Sequence, residues 1–156
     1  MKTELVLVGK TNDKHFQAGI DDYCQRIGHY MPFSITVIPE LKNTKSLSFQ
    51  QQKEREGELI LAKLQSSDHV ILLDEHGKDF RSVEFARWIE QKNASVRRLV
   101  FVIGGPYGFS DAVYSRANEK ISLSKMTFSH QMVRLVFVEQ IYRACTIIKG
   151  EPYHHE

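Results

Sequence analysis

The chain reads as an α/β protein, a mostly parallel sheet with helices on both faces. Three observations carry that reading. Along all 156 residues, short apolar runs alternate with segments whose apolar side chains recur at helical spacing. The strongest runs are nearly unbroken in Val, Ile, Leu and Phe, as strands buried on both faces require. Several are closed by glycine or proline, which stop a strand and open a connection.

Glu4 to Gly9 (ELVLVG) is the first strand. Asp13 to Tyr30 follows as a helix, with Phe16, Ile20, Tyr23 and Ile27 on its inward stripe. Phe33 to Ile38 (FSITVI), between Pro32 and Pro39, is the second strand. A polar connection through Asn43 to Ser48 then leads to a helix from Phe49 to about Leu64. His69 to Asp74 (HVILLD) is the third strand, with a glycine turn expected at Gly77. Ser82 marks the start of a helix to Gln91 whose inward face carries Phe85 and Trp88. Leu99 to Gly104 (LVFVIG) is the fourth strand, after which Pro106 and Gly108 break the chain and Ser110 can cap a helix of one to two turns. Ile121 to Leu123 supply a short fifth strand, and a last helix runs from about His130 to Ile148. No repeat, linker or low-complexity segment interrupts this series, so one domain spanning residues 1–156 is expected.

Bulk composition narrows the function classes. Hydrophobic residues make up 42% and charged residues 26%, the balance of a folded globular protein and not of a disordered one. No apolar stretch approaches membrane-spanning length and the N-terminal run lacks a small-residue cleavage site, so a cytoplasmic protein without a membrane partner is expected. Cys24 and Cys145 form neither a CxxC pair nor a disulfide framework and read as reduced structural thiols. None of the 7 histidines falls in a metal-ligand pattern, so no metal is expected. The net charge of +2 hides an asymmetry: 13 basic and 14 acidic side chains up to residue 96, then 8 against 5, with His130, His154 and His155 added. That bias is compatible with a nucleic-acid partner and equally with a solvated face.

Ligands of parallel sheets bind beyond the carboxyl ends of the strands. The rule selects Leu73 to Gly77, Gly104 to Gly108 and the loop after Leu123. Gly9-Lys10-Thr11 follows a strand as a P-loop does, but the earlier glycine that a phosphate cradle needs is replaced by Glu4, inside the strand itself. Gly104-Gly105-Pro106-Tyr107-Gly108 cannot be written as GxGxxG, and no acidic residue closes a following strand to take a ribose, which argues against a dinucleotide site. Two readings of it stay open, a tight structural turn or a backbone approach to a ligand. Leu123 to Phe128 (LSKMTF) places Met126 and Phe128 in a loop, either tucked into the core or walling a slot for a heteroaromatic ring. The last helix is apolar around most of its circumference, which core packing plus a homodimer contact explains best, with Arg134, Glu139 and Arg143 as its polar positions and Glu139 placed to pair with Arg143. The terminal EPYHHE reads on its own as a frayed end.

Taken together, LVLVGK, KEREGE, LLDEHGK, FVIGGPYGF, LSKMTFSHQMVRLVFVEQIYRA and the terminal PYHHE, in that order, resemble the small SPOUT methyltransferases of the RlmH type over essentially the whole chain. The resemblance implies methylation of the N3 nitrogen of a pseudouridine in bacterial 23S ribosomal RNA, with S-adenosylmethionine as cofactor, and a SPOUT-type fold with a C-terminal trefoil knot, an exception to the rule that chains do not thread loops. It further implies that Leu73, Gly104, Leu123, Ser124, Lys125, Met126, Thr127 and Phe128 hold the cofactor. Arg143, Tyr153 and His154 match family positions near the target base, and the tail is expected to complete the site of the partner subunit in a homodimer acting on the ribosome. Ser129 stands where relatives often have proline, and His155 where arginine or lysine is usual. Two other classes remain as alternatives, a catalytically silent RNA- or ribosome-binding module and a small-molecule nucleotide-binding protein.

Overall fold

A computed structural model describes residues 1–156. Its elements run β1 (Lys2–Val8), α1 (Lys14–Ile27), β2 (Phe33–Ile38), a short 3-10 turn (Thr44–Ser46), α2 (Phe49–Leu61), β3 (His69–Asp79), α3 (Ser82–Ser95), β4 (Arg98–Ile103), α4 (Asp111–Arg116), β5 (Glu119–Ser122) and α5 (Met132–Ile148). The strands form one sheet in the order β2-β1-β4-β3-β5, and every neighbouring pair is parallel. No helix is long and apolar enough to cross a membrane.

Alternation along the strands sorts the core into two layers. Leu5, Leu7, Leu99, Phe101 and Ile103 face α1, α5 and α3, with Phe137 of α5 edge-on to Phe101 at 4.9 Å. Val6, Val8, Val70, Leu72, Val100 and Val102 face α2 and α4 through Ile60, Phe109 and Val113. Both faces are therefore covered, and the unbroken apolar runs have their physical cause. Cys24 and Cys145 are free thiols, each pushed up to about 11 chiefly by burial, which leaves them un-ionised near neutral pH.

Local chemistry sets the helix starts. Asp13 accepts from His15 N–H at 2.8 Å and Phe16 N–H at 3.1 Å, fixing the first turn of α1. Ser48 and Gln51 form a reciprocal capping box on α2. Ser110 Oγ accepts from Val113 N–H at 3.3 Å, so α4 is capped as its sequence predicts.

Two expectations are corrected, the turn at Gly77 and the need of α5 for a partner surface, and two others gain detail. Helix α3 starts at Ser82 as expected, with Arg81 as its N-cap: the Arg81 N–H donates to Glu84 at 3.2 Å, while Ser82 Oγ donates to Gln140 on α5 at 3.1 Å. The glycine turn does not end β3. The strand leaves its ladder after Leu73 and rejoins at Lys78, both residues aligning with Ile121 of β5. Gly77 lies so close to that partner that a Cβ would stand 2.5–2.7 Å from Ile121 backbone atoms, and this close approach is what the glycine serves. Arg134, one of the polar positions expected on α5, is only 1% exposed and donates to the Val8 carbonyl at 2.7 Å and to Thr11 Oγ1 at 3.0 Å. Finally, α5 lies between α1 and α3 within its own subunit, so core packing accounts for much of its apolar circumference without a partner.

Candidate active site

At the carboxyl edge of the sheet the bulge of β3 and the ends of β4 and β5 open into a cleft of about 790 Å³. The three segments selected by the strand-end rule contribute to it, the first as the bulge of β3 and the other two as loops after β4 and β5, together with Tyr114, His130 and Val133. Every residue expected to hold a cofactor is in that lining: Leu73, Gly104, Leu123, Ser124, Lys125, Met126, Thr127 and Phe128.

The loop after β5 is not tucked into the core, since Met126 is 78% exposed and Phe128 40%. Its shape is set locally: Ser122 Oγ donates to the Ser124 carbonyl at 3.0 Å, and Ser124 Oγ accepts from Met126 N–H at 3.0 Å. Opposite, the glycine loop after β4 turns at Gly108, whose φ of +84° favours glycine. Beneath it Gly104 packs against the Phe109 ring, 2.8 Å from where a Cβ would sit. The walls thus combine apolar side chains with unhindered main-chain groups, the combination that suits a flat heteroaromatic ligand.

Charged and titratable groups frame the cleft. Tyr114 donates its phenolic hydrogen to Asp74, joining α4 to the bulge of β3, and burial together with that carboxylate pushes its phenol up to about 12. Burial, aided by the nearby Arg134 charge, lowers the pKa of His130, which favours the neutral imidazole. Burial also lowers the Arg134 guanidinium, with Glu40 opposing the shift. No group of three His, Cys, Asp or Glu side chains converges closely enough to hold a metal ion.

Arg143, Tyr153 and His154 come together, but elsewhere. Arg143 Nη2 donates to Glu139 Oε1 at 2.5 Å, the expected i,i+4 pair, and Tyr153 OH donates to the same oxygen at 2.9 Å. Arg143 Nη1 lies 3.1 Å from His154 Nδ1. Because guanidinium can only donate, Nδ1 must accept there. The Arg143 guanidinium also lies over the Tyr153 ring at 4.9 Å, and Tyr142 meets that ring edge-on at 4.7 Å. Burial, then hydrogen bonding to Tyr23 and Glu139, raises the Tyr153 phenol well above its ordinary value. Arg143 is raised by its bond to Glu139.

The tail is consequently not a loose end. Glu151 N–H donates to the Thr146 carbonyl at 2.9 Å, and Tyr30 OH donates to the Glu151 carboxylate at 2.6 Å. None of Arg143, Tyr153 and His154 lines the cleft. Val133 does, and Arg143 follows it ten residues later on the same helix. That offset is about 15 Å along the axis and about 80° around it. Sequence reasoning paired Glu139 with Arg143 but not with Tyr153, and it missed Glu56, which holds the glycine loop. Glu139 was visible only as a partner for Arg143, and Glu56 only as one letter of KEREGE.

A family profile described as "Predicted SPOUT methyltransferase" matches residues 1–154. A protein of Bacteroides fragilis (strain YCH46) named ribosomal RNA large subunit methyltransferase H is 65% identical, with 100% of both chains covered. Proteins of the same name are 64% identical in Phocaeicola vulgatus and 56% in Flavobacterium johnsoniae, again with 100% of both chains covered. A match over nearly the whole chain, with the strand-end cleft in the loops that this resemblance singles out, leads to one conclusion: the chain belongs to the SPOUT methyltransferase family.

Proposed function

We propose that this chain is an S-adenosylmethionine-dependent methyltransferase that methylates the N3 of a pseudouridine in 23S ribosomal RNA, acting in the cytoplasm on assembled ribosomes. The full-length likeness to proteins named ribosomal RNA large subunit methyltransferase H supports the substrate class. The observation that carries the chemistry is the cleft in which the bulge of β3 meets the loops after β4 and β5. One sheet serves the chain from Lys2 to Ser122, which supports residues 1–156 as a single domain, and membership of the family implies the trefoil knot in the C-terminal half.

The residues fit the cofactor: Gly104 and Leu123 to Phe128 offer main-chain groups and apolar walls, and Leu73 closes the slot from β3. When bound, S-adenosylmethionine supplies an electrophilic methyl group on a sulfonium. The chain's own tasks are to align the base and to manage the N3 proton. Arg143, always charged, stabilises the imide anion left when that proton departs. Tyr153, its phenol raised, stays protonated and serves as a donor and stacking surface. His154, oriented by Arg143, is placed to exchange a proton. Since these three stand away from their own cleft, they serve the cleft of a second subunit in a homodimer.

Two measurements test the reading. Calorimetry is expected to show binding of S-adenosylhomocysteine and none of ATP or NAD, because no pyrophosphate cradle exists. Ribosomes from a strain lacking the gene are expected to accept one methyl group, found by mass spectrometry on a pseudouridine of 23S RNA. Tight ATP or NAD binding without S-adenosylhomocysteine binding overturns the proposal.

A further inference from the structure

Beneath the glycine loop lies a carboxylate that the chemistry above does not use. Glu56, on the outward run of α2, is 6% exposed. Its Oε1 accepts a hydrogen bond from Gly105 N–H at 3.0 Å, across 49 residues of sequence. The approach is as close as two groups can make it, for a Cβ on Gly105 would stand 2.4 Å from Oε1 and 2.7 Å from Oε2. The next residue repeats the pattern: a Cβ on Gly57 would stand 2.4 Å from Ser110 Oγ, the cap of α4. Thus α2 is pressed against both ends of the segment 105–110, and glycine is needed on each side of the contact.

Peptide geometry gives this bond a consequence. The chain has no cis peptide, so the Gly104 carbonyl points opposite to the Gly105 N–H. The N–H is turned to Glu56, which lies outside the cleft, while Gly104 and Gly105 line it. The Gly104 carbonyl is therefore turned away from Glu56, and none of the backbone hydrogen bonds of the loop uses it. A buried carboxylate is costly to desolvate, and burial does raise this one, with the Gly105 N–H opposing the shift. A lone hydrogen bond to a neutral amide returns only part of that cost.

We propose that Glu56 is a positioning residue of the cofactor site: it fixes the Gly104–Gly105 peptide so that the Gly104 carbonyl is presented to the ligand as a hydrogen-bond acceptor. The inference rests on the cofactor reading above and adds to it a residue that never touches the ligand. What matters is an acceptor at that point, so the isosteric amide serves where a methyl group does not.

The test uses the full-length chain, with S-adenosylhomocysteine titrated in a calorimeter and amide exchange followed at Gly105. Glu56→Ala is expected to speed Gly105 exchange and to weaken S-adenosylhomocysteine at least about tenfold, the equivalent of about 1.4 kcal/mol. Glu56→Gln is expected to keep slow exchange and an affinity within about threefold of wild type, a rescue that a purely electrostatic role denies. Gly105→Ala asks the question from the other side and covers the case in which Glu56→Ala does not fold. Its methyl group points at Glu56 and away from the ligand, so it breaks the bond without filling the cleft, and affinity is expected to fall as in Glu56→Ala. Wild-type affinity in Glu56→Ala or Gly105→Ala overturns the inference, as does a loss in Glu56→Gln equal to that in Glu56→Ala. If the wild-type chain itself binds no S-adenosylhomocysteine, the cofactor reading fails first and this inference with it.

Discussion

Mixing two defective subunits should restore methyl transfer. One variant lacks residues 151–156 and keeps an intact cleft; the other carries Gly104→Leu, which spoils the cleft, and keeps an intact tail. The structure sets the expectation. Arg143 lies ten residues beyond Val133 on α5, about 15 Å along and 80° around the axis from the cleft lining. The tail is held to that region by Glu139 and Tyr30. Under the proposed homodimer, a tail held away from its own cleft serves the cleft of the second subunit. Each variant alone should lose about two to four orders of magnitude in rate, the usual worth of a positioned acid/base group for the tail deletion and of aligned binding for the cleft variant. In an equimolar, fully exchanged mixture half the dimers are mixed, and each mixed dimer has one site with both parts intact. Activity should then return to about a quarter of wild type for the whole mixture, or about half per mixed dimer. The assay is methyl transfer to ribosomes from a strain lacking the gene, after subunit exchange verified by a size tag on one variant. A mixture no more active than its components, with exchange demonstrated, would falsify the shared site. Full activity of the tail deletion alone would remove the catalytic assignment of Tyr153 and His154.

Two further outcomes follow from particular residues. Gly77→Ala should lower the melting temperature, by about 1–3 kcal/mol of stability, and weaken S-adenosylhomocysteine, because the new methyl group meets the Ile121 backbone and pushes β5 and the following loop aside; an unchanged melt and affinity would contradict the close approach. For Glu56→Gln, burial raises the carboxyl in the folded chain, so wild-type stability falls as pH rises from the unfolded carboxylate pKa through the raised folded one. The variant carries no such charge and should melt above wild type at pH 8, with the difference shrinking toward pH 4; a gap that widens on acidification refutes the sign.

Sequence alone determined the α/β class and the order of elements, because buried parallel strands must be apolar on both faces and therefore announce themselves as unbroken runs. Ser110 as a cap and Glu139–Arg143 as a pair were equally legible, being contacts between residues three or four apart. The three segments of the cleft were legible too, since the carboxyl ends of parallel strands share one edge of the sheet, although the first is a bulge within β3 and not a loop after it.

Contacts between distant segments were decided by the tertiary structure. No local rule distinguishes the buried Arg134 from a solvated one on α5; its partners, the Val8 carbonyl and Thr11, are more than 120 residues away. Gly77 looked like a turn because local sequence cannot show that the β5 backbone passes within contact of it. Glu56 has the same history, a charged letter in a helix whose meaning depends on a peptide 49 residues later. Burial and partner are properties of the packed chain, and they turned three ordinary residues into a buried cation, a close-contact strand position and the support of a binding loop.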